Sequence, residues 1–249
     1  MKIQLIRNAT MKLTYAGRTI LTDPMLSPKD AIEPFAGIAR NPTIELPLPI
    51  EEIIKGVEGV IVSHIHQDHY DKTAGTALPK EIPVFCQPGD KEKMAEEGFE
   101  NIMPVEASHT WEGIILTRTG GKHGSGKILE FMGNVSGFVL QAHGEPTVYW
   151  VGDSIWCDDV ENAIKTFAPD IIITHSGGAT IPGHDPIIMD DGQTLMTINA
   201  AQKAVVVAIH MEALDHCGVT RGALREMADK ADISTSQLMI PKDGEIIAF

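Results

Sequence analysis

The ten residues 62–71, VSHIHQDHYD, hold three of the chain's ten histidines and two aspartates. An apolar core does not tolerate unpaired imidazoles and carboxylates, and a solvated turn has no need of them. Imidazole nitrogen and carboxylate oxygen are the donors that Zn²⁺ and related first-row dications take. The set follows directly on the apolar run GVIV at residues 59–62, which reads as a buried strand. Residues two apart on a strand share a face, so His64 and His66 can aim at one point from the strand's C-terminal edge, with Gln67 turned away. Asp68 and His69 come as the chain turns toward a helix. Four donors then converge beyond a strand end, the usual place for a site in α/β architectures. The competing reading is a polar turn with chance histidines. HxH alone leaves the two readings even; HxHxDH directly after an apolar strand favours the metal site.

The elements that must hold these donors follow from the hydrophobic pattern. KIQLI, KLTYA and RTILT alternate like β structure, broken at Asn8 and at Ala16-Gly17. The prolines of residues 24–49 deny a continuous helix or strand, so this stretch reads as a long ordered loop, and a loop of that length usually covers a site. PIEEIIKG is a short helix ended by Gly56. Further strands are expected at IPVF, NIMPV, GIILTRT, GFVLQA, TVYWV, DIIIT, AVVVAI and QLMI, and helices at residues 90–97, 158–167, 193–202 and 221–230. Several strands between residues 114 and 151 have no helix between them, which implies antiparallel or mixed sheets and disfavours a pure doubly wound parallel sheet. No repeat, low-complexity tract or linker divides residues 1–249, so one α/β domain is expected.

Composition narrows the partners. With 43% hydrophobic and 22% charged residues, the chain is of the soluble globular class. A formal net charge of −14 argues against nucleic acid, whose phosphates are bound by Lys and Arg. Small anionic substrates remain compatible, because a bound dication reverses the local field. The start, MKIQLIRNATMKLTY, lacks the apolar segment of a signal peptide, and no long apolar stretch suits a membrane span. Cys86, Cys157 and Cys217 are odd in number and scattered, which speaks against a disulfide framework and for a reducing cytoplasm.

HxHxDH after a short buried strand resembles the metallo-β-lactamase superfamily. That resemblance implies a four-layer αββα sandwich, two mixed sheets face to face with helices on the outer faces and the site along one edge. It also implies further ligands downstream: a His, an Asp after a strand, and a His after a late strand. RTGGKHGSG supplies His123, TVYWVGDSIW supplies Asp153 and AVVVAIHMEALDH supplies His210, each where a strand yields to a loop. LTDP at residues 21–24 looks like the family's first motif, with Asp23 as a supporting carboxylate. Carried over residue by residue, His64, His66 and His123 hold one ion. Asp68, His69 and His210 hold the other, and Asp153 bridges both. The cofactor expected is two divalent ions, Zn²⁺ first, with Mn²⁺ or Fe²⁺ as alternatives. Such a pair provides hydroxide at neutral pH and polarises a scissile bond. Asp68 is either a ligand only or also the orienter of the attacking water.

The remaining histidines compete for roles. His109, in EASHTWEG, looks like a strand-start residue, whereas glycines 120, 121, 124 and 126 let backbone approach the site around His123. His184, in the Gly- and Pro-rich IPGHDPIIMD, falls where the family often places substrate-facing residues and is carried as a candidate catalytic contact, with an ordinary loop histidine as the alternative. His216 reads as a capping or supporting residue and His143 as a turn histidine; His175, after DIIIT, has no assigned role.

TRTGGKHGSGKILEFMGNVSGFVL followed by YWVGDSIW resembles the cytosolic ascorbate-6-phosphate lactonase-like hydrolases. Departures from the secreted lactamase, glyoxalase II, nuclease and flavodiiron patterns agree. The expected function is a cytoplasmic binuclear hydrolase of a small ester, lactone, amide or phosphodiester. Its expected partner is a small molecule, with neither nucleic acid nor membrane, and a homo-oligomer is compatible. The alternatives are a phosphodiesterase or nuclease on nucleic acid, which would bind DNA or RNA tightly at physiological salt, and a non-catalytic metal-binding protein.

Overall fold

The computed structural model describes all 249 residues. The first part of the chain builds one sheet from β1 (Lys2–Arg7), β2 (Thr10–Tyr15), β3 (Arg18–Thr22), β4 (Gly59–Val62), β5 (Val84–Cys86) and β6 (Ile102–Pro104). The second sheet comprises β7 (Ser108–Trp111), β8 (Ile114–Thr119), β9 (Gly137–Gln141), β10 (Val148–Trp150), β11 (Ile171–His175), β12 (Val205–Ile209) and β13 (Leu238–Met239). The last strand, β14 (Ile246–Ala248), returns to the first sheet and pairs antiparallel with β1. Strand orders are β14-β1-β2-β3-β4-β5-β6 and β13-β12-β11-β10-β9-β8-β7. Each sheet is mixed: β1 to β3 and β7 to β10 are antiparallel, while β3 to β6 and β10 to β13 are parallel.

The alternation along the central strands explains the layers. Ile171, Ile173, Val207 and Ile209 point between the sheets, where they meet Leu5, Leu13 and Ile61 of the first sheet. Ile172, Val206 and Ala208 point outward onto α5 (Asp158–Phe167), α6 (Asp191–Ala200) and α7 (Arg221–Lys230). The first sheet's outer face, with Val60, Val62 and Val84, is covered by α1 (Ile50–Ile54), α2 (Lys72–Ala77) and α3 (Lys91–Glu96). A short α4 (Leu129–Met132) follows the glycine loop. This is the αββα sandwich. Strands buried on both faces need apolar side chains at every position, which is why these segments are continuous runs.

Expected elements and observed ones differ in a few places. The helix expected at 193–202 starts at Asp191, because the Asp190 carboxylate caps it by accepting from the Gln193 N–H at 2.8 Å. The helix expected at 90–97 begins as a 3₁₀ turn at Pro88–Asp90 before α3. β4 stops at Val62, so His64 and His66 converge from a loop and not from a strand pleat.

The proline-rich stretch is an ordered loop across the site edge, held from three sides. The buried Arg7 guanidinium donates to the carbonyls of Met25 (3.1 Å), Ser27 (2.7 Å) and Ile44 (3.0 Å). Asp71 accepts from the Ser27 N–H at 2.7 Å. Asp215 accepts from the N–H groups of Phe35 (3.0 Å), Ala36 (3.1 Å) and Ile38 (3.1 Å) and from Asn41 Nδ2 (2.9 Å). Burial alone would raise the Asp215 carboxyl, but these donors outweigh it and hold it below the usual carboxylate range. Its clasp is therefore fully present above the unfolded-state value and is lost as pH falls through the depressed folded one. Hydrogen bonds to a charged group are worth about 1.5–3 kcal/mol. Asp215→Asn should thus speed amide exchange at residues 35–39 by about tenfold or more at neutral pH, with β11 and β12 unchanged. Wild-type protection in this segment should fall toward that of the variant in acid. Hydrogen exchange read by mass spectrometry checks both.

Candidate metal centre

The site lies where parallel strands end. Asp23 follows β3, the 64–69 loop follows β4, Asp153 follows β10, His175 ends β11 and His210 follows β12. The β10 exit requires glycine: Gly152 has φ +72°, and a Cβ there would stand 2.6 Å from the Ser136 carbonyl oxygen. Asp23 and His210 also take left-handed backbone, with φ 37° and 61°. For residues that carry a Cβ this costs free energy, and such strain concentrates at functional sites.

Two groups of donors converge. His64, His66 and His123 form one; His69, Asp153, His175 and His210 form the other; within each, the donor atoms lie within 4.8 Å of one another. Asp68 joins the second group, its Oδ2 3.4 Å from His69 Nε2 and 3.3 Å from His210 Nε2. Asp153 stands between the groups, with Oδ2 3.0 Å from His69 Nε2 and 3.5 Å from His123 Nε2. The structure thus brings together His64, His66, Asp68, His69, His123, Asp153 and His210. His109 is not among them: it sits on β7 with its ring 5.5 Å from that of Phe85.

The outward nitrogens are pinned, which fixes what the inward ones offer. His69 Nδ1–H donates to Asp23 Oδ2 at 2.6 Å, and Asp23 also accepts from the Ser63 N–H and hydroxyl, both at 2.7 Å. His123 Nδ1–H donates to the Ile187 carbonyl at 2.9 Å. With a metal ion bound, each ring would turn its Nε2 lone pair inward. His69 Nε2 and His210 Nε2 face each other at 3.3 Å, and His64 Nε2 faces His66 Nδ1 at 2.9 Å. Facing lone pairs repel, so a proton or a cation must lie between them. Imidazoles with buried carboxylates are a donor set that fits Zn²⁺, Mn²⁺ or Fe²⁺.

The charges say the same. Burial opposes ionisation of Asp68 and Asp153, yet His69 and His210 outweigh it and hold both carboxyls well below the usual range. Burial likewise opposes protonation of His69, but Asp153, Asp68 and Asp23 raise it well above an ordinary imidazole. Away from the carboxylates the sign reverses: burial, with His69 nearby, pushes His64 well down. The aspartate-rich group needs positive charge, and His64 and His66 offer neutral nitrogen.

His175 was not legible as part of this machinery. Its Nε2 accepts from Trp150 Nε1–H at 2.9 Å, so its proton is on Nδ1 and is donated to Asp153 Oδ1 at 2.5 Å. Burial pushes the ring down to about 4, which keeps it neutral. With both nitrogens engaged, His175 orients Asp153. The available signal was the strand pattern itself, since His175 continues the inward-facing positions Ile171 and Ile173.

A cavity of about 300 Å³ opens over the donors. Phe35, Ile65, Met132, Ile181 and Ile187 form its apolar wall, and His66, Asp68, His123, Asp153 and His216 also reach it. His184 does not join the wall. It is exposed at the tip of its loop, its N–H donated to the Ile181 carbonyl at 3.0 Å. Prolines 182 and 186 on either side hold the tip out in solvent, and the apolar ends of that loop, Ile181 and Ile187, face the cavity instead.

This geometry separates the two candidate third histidines. His123→Ala should lower the metal content of the purified protein and abolish hydrolysis. His109→Ala should retain the metal, at a cost of no more than about 1–2 kcal/mol in stability. Elemental analysis with thermal denaturation measures both; the reverse pattern would put the third donor on the wrong loop.

Comparison with known proteins accords with the geometry. Residues 18–211 match the family described as Beta-lactamase superfamily domain. The UPF0173 protein YddR of Bacillus subtilis is 36% identical, with 100% of both chains covered. The UPF0173 metal-dependent hydrolase MJ1163 of Methanocaldococcus jannaschii is 26% identical over 86% of this chain and 91% of its own. Among solved structures, a possible metal-dependent hydrolase from Veillonella parvula superposes with a TM-score of 0.97 at 36% identity, covering 100% of this chain and 99% of that one. Isothiocyanate hydrolase from Delia radicum gut bacteria superposes at 0.95, with 36% identity and the same coverage. Fold, donor set and relatives converge: the chain belongs to the β-lactamase superfamily and is a metal-dependent hydrolase of the metallo-β-lactamase fold.

Proposed function

We propose that the protein is a binuclear hydrolase of a small, largely apolar electrophile. The observation that carries this reading is the convergence of seven donors at one sheet edge, four of which, His66, Asp68, His123 and Asp153, open onto a cavity with an apolar wall. His64, His66 and His123 would hold one ion and Asp68, His69 and His210 the other, with Asp153 placed between the two groups. Zn²⁺ is the first choice of metal, with Mn²⁺ and Fe²⁺ as alternatives. When bound, the pair supplies Lewis acidity and a water acidified toward a pKa of about 7.

The chain's own residues do the rest. Asp68 reaches the cavity and orients the attacking water. His175, through Nδ1–H, keeps the Asp153 carboxylate turned toward both donor groups. Asp23 does the same for the His69 ring. The five apolar side chains exclude bulk water and hold the substrate's organic part, the usual division of labour in small-molecule pockets.

The wall bears on the substrate. The residues over the donors on this side are apolar, which suits a neutral organic tail; Arg118 and Lys122 line the adjoining cavity that shares His66 and His123. Likeness to an isothiocyanate hydrolase over the whole chain favours a neutral carbon electrophile such as R–N=C=S. Addition of one water to the central carbon and cleavage of its bond to nitrogen gives R–NH₂ and O=C=S, with both water protons ending on nitrogen. Small esters, thioesters and lactones present the same kind of carbon.

A nucleic-acid substrate is disfavoured by the net charge of −14. No helix is long and apolar enough to cross a membrane. Three cysteines without a disulfide support a reducing, cytoplasmic setting. The test is turnover of benzyl isothiocyanate, a neutral lactone, a thioester and a phosphodiester by protein loaded with Zn²⁺ or Mn²⁺. Release of benzylamine is expected from the first, with the phosphodiester a poor substrate. A fully loaded protein that turns over none of them, or that retards DNA at physiological salt, contradicts the reading.

A further inference from the structure

Resting on the hydrolase reading, the part of the cavity furthest from assignment is its outer wall. His216 is 8% exposed and reaches the cavity; neither ring nitrogen has a hydrogen-bond partner, and while Nδ1 is sealed, Nε2 keeps accessible surface. A buried polar atom left unpaired costs free energy, and native proteins keep few of them. The ring is rigidly placed. Its own carbonyl accepts from the Thr180 N–H at 2.9 Å, and the preceding Asp215 clasps the 35–39 segment. The following Cys217 packs its sulfur 3.7 Å from His210 Nδ1. The clasped segment delivers Phe35 edge-on to the imidazole, with ring centroids 5.0 Å apart at 76°.

The same short run of chain therefore anchors the loop through Asp215, presents an unpaired imidazole through His216 and touches the His210 ring through Cys217. An imidazole that packs on an aromatic edge in the cavity wall, with Nε2 accessible and unpartnered, is placed to meet a ligand atom.

We propose that His216 and Phe35 form the substrate-recognition wall: His216 hydrogen-bonds a nitrogen or sulfur of the substrate's reacting group, and Phe35 packs on its organic tail. His216 is a positioning residue and no metal donor. Phe35 comes from a loop and sets which tails fit, together with Ile65 and Met132 across the cavity. The ligand class is a neutral organic group joined to a hydrogen-bonding heteroatom.

The test uses the metal-loaded protein with two probes. Benzyl isothiocyanate reports turnover. Benzylurea, an inert molecule shaped like the hydrated adduct, reports equilibrium binding by calorimetry. His216→Ala should lower kcat/KM and benzylurea affinity by about tenfold each, the worth of one hydrogen bond, with metal content unchanged. His216→Gln, whose side-chain amide can stand near the position of Nε2, should restore most of the loss. Phe35→Ala should raise KM about tenfold and leave kcat within about twofold. Unchanged kcat/KM and affinity in His216→Ala would overturn the proposal, as would loss of metal in step with affinity. If the wild type hydrolyses no isothiocyanate, the substrate reading fails alone. Benzylurea then decides recognition: binding that weakens in His216→Ala supports it, and no binding, or no weakening, refutes it.

Discussion

Everything at this site follows from burying negative charge. Asp23, Asp68 and Asp153 are almost fully buried, and all three approach a single imidazole, His69. Carboxylates removed from water need compensating charge close by. Even with His210 beside it, 3.3 Å from Asp68, two rings cannot compensate three of them. The lone pairs that face one another across His69, His210, His64 and His66 mark where cations would stand. A dication replaces the protons that would otherwise hold these rings apart, which couples metal binding to proton release.

The fold exists to bring those charges to one edge. Parallel strands β3 and β4 on one sheet, and β10, β11 and β12 on the other, all end there. Consecutive ends supply Asp23, the histidine loop, Asp153, His175 and His210. Around them stands a supporting layer in which every contact fixes a ring or a carboxylate: Ser63 on Asp23, Ile187 on His123, and Trp150 on His175. The long loop closes the edge by giving its own backbone N–H groups to Asp215, a carboxylate outside the donor set.

Much of this was legible in the sequence, for identifiable reasons. Helices α5 and α7 start and end where periodicity placed them. The donors converge because each follows an apolar run, and strand ends are readable from such runs. What escaped depends on partners distant in sequence. β14 is a three-residue strand whose only reason to form is β1, more than two hundred residues away. His175 looked idle because its role is set by Trp150 on the adjoining strand. That His216 and not His184 lines the cavity could not be read either, because no periodicity says which histidine of a loop faces inward; here Ile181 and Ile187 pack inward with Ile128 and leave His184 at the exposed tip.

The central claim is that Asp153 joins two ions held by separate donor groups. The most direct measurement is the metal stoichiometry of wild type and Asp153→Asn, by elemental analysis and native mass spectrometry after reconstitution with Zn²⁺. The account predicts two ions per wild-type chain. In the variant it predicts one, retained by His64, His66 and His123, because two dications a few Å apart repel unless an anion lies between them. A wild-type chain that takes up a single ion, or an Asp153→Asn variant that keeps two tightly, would contradict it.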